Sequence, residues 1–111
     1  MTHILDALFA TIESRKAAFE NGGADPASSY TAKLFAGGTP LIARKIGEEA
    51  VETAVAALTE DNTSVAKESA DVLYHLLALW AQLGLDPADV WAELERRTGQ
   101  SGIAEKASRP K

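Results

Sequence analysis

The chain has 111 residues, a formal net charge of -5, 46% hydrophobic and 24% charged residues, and no cysteine. One domain fits this length, and so high an apolar content excludes a disordered acidic chain. Without cysteine there is no disulfide staple, thiolate zinc site or thiol nucleophile, and the excess of 16 acids over 11 Lys plus Arg argues against a duplex-binding protein.

In chain order, Ile4, Leu5, Leu8, Phe9 and Ile12 recur at three- and four-residue steps, predicting a first helix from Ile4 to Asn21 that ends at Gly22 and Gly23. A short helical segment over 29–36 follows, with Ser28 or Ser29 as N-cap and Gly37 and Gly38 closing it. Thr39 as N-cap and Pro40 at the first helical position open the next helix, which runs to about Leu58. After the polar cluster 60–64, another helix carries Val72, Leu76, Leu79 and Leu83 and stops at Gly84. Asp86 and Pro87 cap a last helix holding Val90 and Leu94, and residues 98–111 are expected to form a mobile tail after a single domain over 1–97. The expected fold is therefore all-α, an antiparallel bundle of four to five helices. No apolar run approaches the roughly 20 residues of a bilayer span, and Met1 to Ala10 lack a basic region followed by an apolar one. A soluble, unprocessed cytoplasmic protein is expected, with neither nucleic acid nor membrane as partner.

The most informative stretch is the helix beginning at Pro40. At about 100° per residue, Glu48, Glu49 and Glu52 share one arc with Lys45, while Ile42, Ile46, Leu41, Val55 and the small residues Ala43, Gly47, Ala50, Ala54 and Ala57 fill most of the remainder. Three carboxylates at these spacings repel one another and call for a compensating cation. The following helix offers a matching strip, Glu68 and Asp71 three residues apart, with His75 one turn further and Tyr74 and Gln82 nearby. Packed antiparallel across the short connection 59–63, the two helices bring five acids around one volume. An all-oxygen donor set suits Mg²⁺, or Mn²⁺, rather than zinc, and magnesium shares its coordination with phosphates, so a polyphosphate ligand is implied. The plainer alternative is a solvated charged face.

Glu48-Glu49-Ala50-Val51-Glu52 and Glu68-Ser69-Ala70-Asp71 resemble the metal-binding signature of the all-α nucleoside triphosphate pyrophosphatases, which include MazG-type enzymes and dimeric dUTPases. Three further stretches, 29–34 (Ser-Tyr-Thr-Ala-Lys-Leu), 45–50 (Lys-Ile-Gly-Glu-Glu-Ala) and 70–77 (Ala-Asp-Val-Leu-Tyr-His-Leu-Leu), are similar to the phosphoribosyl-ATP pyrophosphatase family, as is the ending 105–109. This resemblance implies hydrolysis of phosphoribosyl-ATP to phosphoribosyl-AMP and pyrophosphate, the second step of histidine biosynthesis. It also implies Glu49, Glu52, Glu68 and Asp71 as metal ligands, with Glu48 as a ligand to a further ion or the acceptor that orients the attacking water. In some family members the cyclohydrolase that acts next is fused to this domain. The present length leaves no room for it and there is no cysteine for its zinc, so a separate cyclohydrolase is expected.

Lys33, Arg44, Lys45 and Lys67 are candidate phosphate contacts, with Arg96, Arg97, Lys106 and Arg109 as later ones. Lys45 leads because it shares the acidic strip. His75 is a candidate for the ribose or a phosphate, or for holding a carboxylate in place, and Tyr30 for stacking on adenine or for the core. Leu73, Leu77 and Trp80 lie away from the main stripe of their helix, and with the Ala-rich back of the preceding one they predict a homodimer. Two competing readings stand beside this one. One is a housecleaning pyrophosphatase acting on free nucleotides, and the other a non-catalytic metal-binding or dimerisation module.

Overall fold

The computed structural model describes residues 3–99, which form four helices with no strand among them: α1 (Ile4–Glu20), α2 (Tyr30–Thr59), α3 (Asn62–Leu83) and α4 (Pro87–Thr98). The all-α expectation holds. Residues 100–111, and with them Lys106, Arg109 and most of the expected tail, lie outside the described residues.

Each helix starts on a side chain that accepts a backbone N–H otherwise left without a partner. His3 Nδ1 accepts from Leu5, Ser29 Oγ from Ala32, Asp61 Oδ1 from Ser64 and Asp86 Oδ1 from Ala88, at 2.9–3.2 Å. Gly84 closes α3 in the left-handed conformation (φ 71°, ψ 24°).

The expected short segment and the helix after it are arms of one element, α2, broken at Gly38 (φ 69°, ψ −166°). That backbone conformation is open essentially to glycine alone. Thr39, the predicted N-cap, therefore lies inside α2. The break is sharp. In a straight helix Tyr30 and Lys45 would stand about 22 Å apart, 15 residues at about 1.5 Å each, yet both line a single groove of about 90 Å³. Arm 30–37 thus folds back along arm 39–59, and at the break a Cβ on Gly37 would clash with the Leu41 side chain.

The core forms around this fold-back. Leu34 and Phe35 come from the first arm, Ile42 from the second, Ile12 from α1, and Leu77, Ala78 and Ala81 from α3. Each large side chain buried here contributes about 1.5–3 kcal/mol relative to leaving it in water. The two-residue connection 60–61 turns α3 back along α2, and these helices make the most extensive packing in the chain.

Two residues expected on an outward face are covered by the chain itself. Leu77 is fully buried in the core, and Trp80 meets Trp91 of α4 edge to face at 5.8 Å. The back of α2 behaves oppositely. Ala43, Gly47, Ala50, Ala54 and Ala57 are exposed, and beside them Val51 is 63% and Leu58 85% exposed.

Candidate active site

The second arm of α2 and the first half of α3 present their carboxylates to each other, as helical spacing predicts. Glu49, Glu68 and Asp71 each offer an oxygen, and the three lie within 4.8 Å of one another. Oε2 of Glu49 and Oε2 of Glu68 are both shielded from solvent without a hydrogen-bond partner. Two desolvated anionic oxygens facing further carboxylates are costly unless a cation joins them. Burial is the first cause that raises the pKa of both groups, and neighbouring carboxyls, Glu52 foremost, raise it further. Glu52 itself is exposed at the rim. An all-carboxylate, partly buried donor set fits a hard divalent ion.

Glu49 and Asp71 line an open depression of about 460 Å³, whose other walls are Tyr30, Lys45, Tyr74 and His75. His75 is 4% exposed, and its Nδ1 donates to the Asp71 backbone carbonyl at 2.6 Å. In the neutral ring Nε2 is then free to accept the Tyr30 hydroxyl, also at 2.6 Å. One residue along on each helix, Thr31 Oγ1 is hydrogen-bonded to the Tyr74 hydroxyl. Tyr30 is 47% exposed, and its partial burial raises the phenol pKa above the ordinary value, with Lys45 opposing and Glu49 adding to the rise. It is thus neither core nor a free stacking platform but a wall pinned to α3. The two paired contacts, 30 with 75 and 31 with 74, have no sequence spacing that reveals them. The signal in the sequence is the Gly37-Gly38 break that lets the first arm fold back.

Glu48, the candidate further ligand or water-orienting acceptor, is not among the three clustered carboxylates. Its carboxylate sits 3.6 Å from Arg44 Nε and 3.2 Å from Lys45 Nζ, and the hydrogen bond to Lys45 raises that lysine's pKa above the ordinary value. Lys33 joins Arg44 and Lys45 along the groove between the α2 arms. Arg96 and Arg97 instead engage Glu93 within α4, and Lys67 is exposed on α3. Among the described residues no helix is long and apolar enough to cross a membrane.

A profile of the family described as phosphoribosyl-ATP pyrophosphohydrolase matches residues 6–98. Proteins named phosphoribosyl-ATP pyrophosphatase are similar over almost the full length. That of Paramagnetospirillum magneticum is 61% identical, covering 97% of this chain and 94% of the relative. That of Azospirillum brasilense is 57% identical over 96% and 90%, and that of Rhizorhabdus wittichii 55% identical over 100% and 99%.

Proposed function

Because the chain belongs to the phosphoribosyl-ATP pyrophosphohydrolase family, we propose that the depression between α2 and α3 is where it cleaves its substrate. The enzyme hydrolyses phosphoribosyl-ATP to phosphoribosyl-AMP and pyrophosphate, the second step of histidine biosynthesis. The observation that carries the site is the pair of shielded, unpartnered oxygens on Glu49 and Glu68 beside Asp71.

Glu49, Glu68 and Asp71, with Glu52 at the rim, would hold Mg²⁺, with Mn²⁺ as an alternative. A divalent ion there supplies charge neutralisation and alignment of the phosphates for cleavage between the α and β positions. Lys45, held charged beside the acids, meets phosphate oxygens. Glu48 positions Lys45 and Arg44 through its two ion pairs. The Tyr30 hydroxyl and the His75 ring tie the first arm of α2 to the Asp71 backbone, so the wall of the site and one of its carboxylates move together.

A homodimer goes with this reading, because the exposed small-residue back of α2, flanked by Val51, Val55 and Leu58, offers a surface that a second copy can cover. Light scattering at the mass of two chains is the expected result. Residues 1–97 act as one catalytic domain, and a cytoplasmic location suits a biosynthetic enzyme with separate substrate and product partners.

The test is pyrophosphate release from phosphoribosyl-ATP with magnesium, with and without chelator, beside ATP, dUTP and dCTP. Chelator-sensitive turnover of phosphoribosyl-ATP alone is expected. Turnover of the free nucleotides at comparable rates would move the assignment to nucleotide housecleaning, and turnover that chelator leaves untouched would remove the metal role of the acids.

A further inference from the structure

Beside the acidic depression runs the groove between the two arms of α2, lined by Tyr30, Lys33, Leu34, Leu41, Arg44 and Lys45. At about 90 Å³ it lies well below the roughly 300–1,000 Å³ of pockets that enclose whole ligands. It has room for one small group. Three cations line it, and the carboxylate in contact with them is Glu48, whose two oxygens are shared between Arg44 and Lys45. Lys33 has no carboxylate within ion-pair reach among the described residues. Lys33 and Arg44 line the groove and not the acidic depression, and the positive charge they bring suits the charge of about −1.5 to −2 on a phosphate monoester.

Phosphoribosyl-ATP carries two separated anionic groups, the triphosphate on the ribose of ATP and a monophosphate on the second ribose that the adenine also carries. Free ATP carries only the first. The acidic depression repels a bare phosphate and needs a cation to accept one, whereas the groove needs none. Tyr30 and Lys45 line both, so a single ligand can occupy the two at once.

We propose that the groove between the α2 arms is a monophosphate subsite, with Lys33 and Arg44 as its determinants, that receives the 5′-phosphate of the phosphoribosyl group and thereby selects phosphoribosyl-ATP over free ATP. The inference rests on the functional reading above and deepens it. Because the subsite is cationic by itself, its contribution to binding does not depend on the metal.

The test is calorimetric titration of the full chain with ribose 5-phosphate and with ribose, in chelator, for the native protein, Lys33→Gln, Lys33→Arg and Lys33→Gln/Arg44→Gln. The native protein binds ribose 5-phosphate roughly 10- to 100-fold more tightly than ribose, the scale of one or two hydrogen bonds to a charged group. The ratio falls partway in Lys33→Gln, approaches one in the double variant, and survives in Lys33→Arg. Both side chains are exposed, and circular dichroism verifies that the helices persist. A ratio unchanged in the folded double variant, or equal affinities in the native protein, overturns the subsite. If the native protein releases pyrophosphate from phosphoribosyl-ATP while either of these holds, the functional reading stands and the subsite alone falls. If it releases none with any divalent metal, both fall.

Discussion

Two hollows of the same size, about 460 Å³ each, are built from similar side chains and differ in the state of their carboxylates. The hollow between α1, α3 and α4 has Trp80, Trp91 and Phe9 as walls and Asp6, Glu13 and Asp86 at its edge, so it too combines aromatics with acids. Its carboxylates are at ease, with Asp6 and Glu13 exposed on α1 and Asp86 accepting the Ala88 N–H as a helix cap. In the other hollow's acidic cluster, Glu49 and Glu68 hold shielded oxygens with no partner. Volume and acid content therefore do not mark the site. Desolvated charge left unpaired does, because a fold retains that cost where a ligand offsets it.

The comparison is tested most severely by removing the unpaired charge. Glu49→Gln and Asp71→Asn should each lower turnover on the order of 10²–10³-fold or more, while the metal-free fold keeps or gains thermal stability because a buried repulsion is relieved. Magnesium should raise the melting temperature of the native protein and not that of Glu49→Gln. A magnesium shift of native size in the variant would show that the two hollows do not differ in the way described.

Trp91→Ala probes the other side. Loss of the edge-to-face contact with Trp80 and of its packing should cost about 2–4 kcal/mol in denaturant unfolding, with turnover per folded molecule unchanged. A selective fall in turnover would give the aromatic hollow a part in the reaction. Gly38→Ala should cost about 1–3 kcal/mol through backbone strain alone, since a Cβ there meets Pro40 Cδ at an unstrained 3.8 Å. Because the fold-back brings Tyr30 to His75, KM should rise along with this loss. The smallest effect belongs to Glu93, whose pKa its hydrogen bonds to Arg96 and Arg97 lower to about 2. A lowered carboxyl pKa stabilises the fold above the ordinary value of 4.5 and loses that contribution as pH falls toward 2. Acid unfolding monitored by circular dichroism should show Glu93→Gln differing slightly from the native protein at neutral pH, with the difference vanishing at the acid end and shrinking in high salt.

Much of the acidic cluster is legible in the sequence. Glu49 and Glu52 on α2, and Glu68 and Asp71 on α3, each sit three residues apart on helices joined by a very short connection, so periodicity and chain reversal together place the two strips opposite one another. The caps Ser29, Asp86 and Gly84 were legible for similar reasons, each acting within a few residues of itself. Glu48 was harder to place. A wheel puts it in the acidic arc, but its Arg44 and Lys45 neighbours at i−4 and i−3 draw its carboxylate aside. Leu77 and Trp80 looked outward only because nothing in the α3 pattern tells which of its faces α1 and α4 will cover.

The sequence by itself determined the all-α character, the caps at Asp86 and Gly84 and the opposed acidic strips, because these follow from hydrogen bonds and spacings within one or two turns. Tertiary structure alone decided that the first arm of α2 folds back at Gly38, that Tyr30 reaches His75, and that Lys33 joins Arg44 and Lys45 in one groove. Those pairings join residues far apart along the chain, and their geometry depends on the angle of a single glycine break and on the packing of Leu34, Phe35 and Ile42 that holds it.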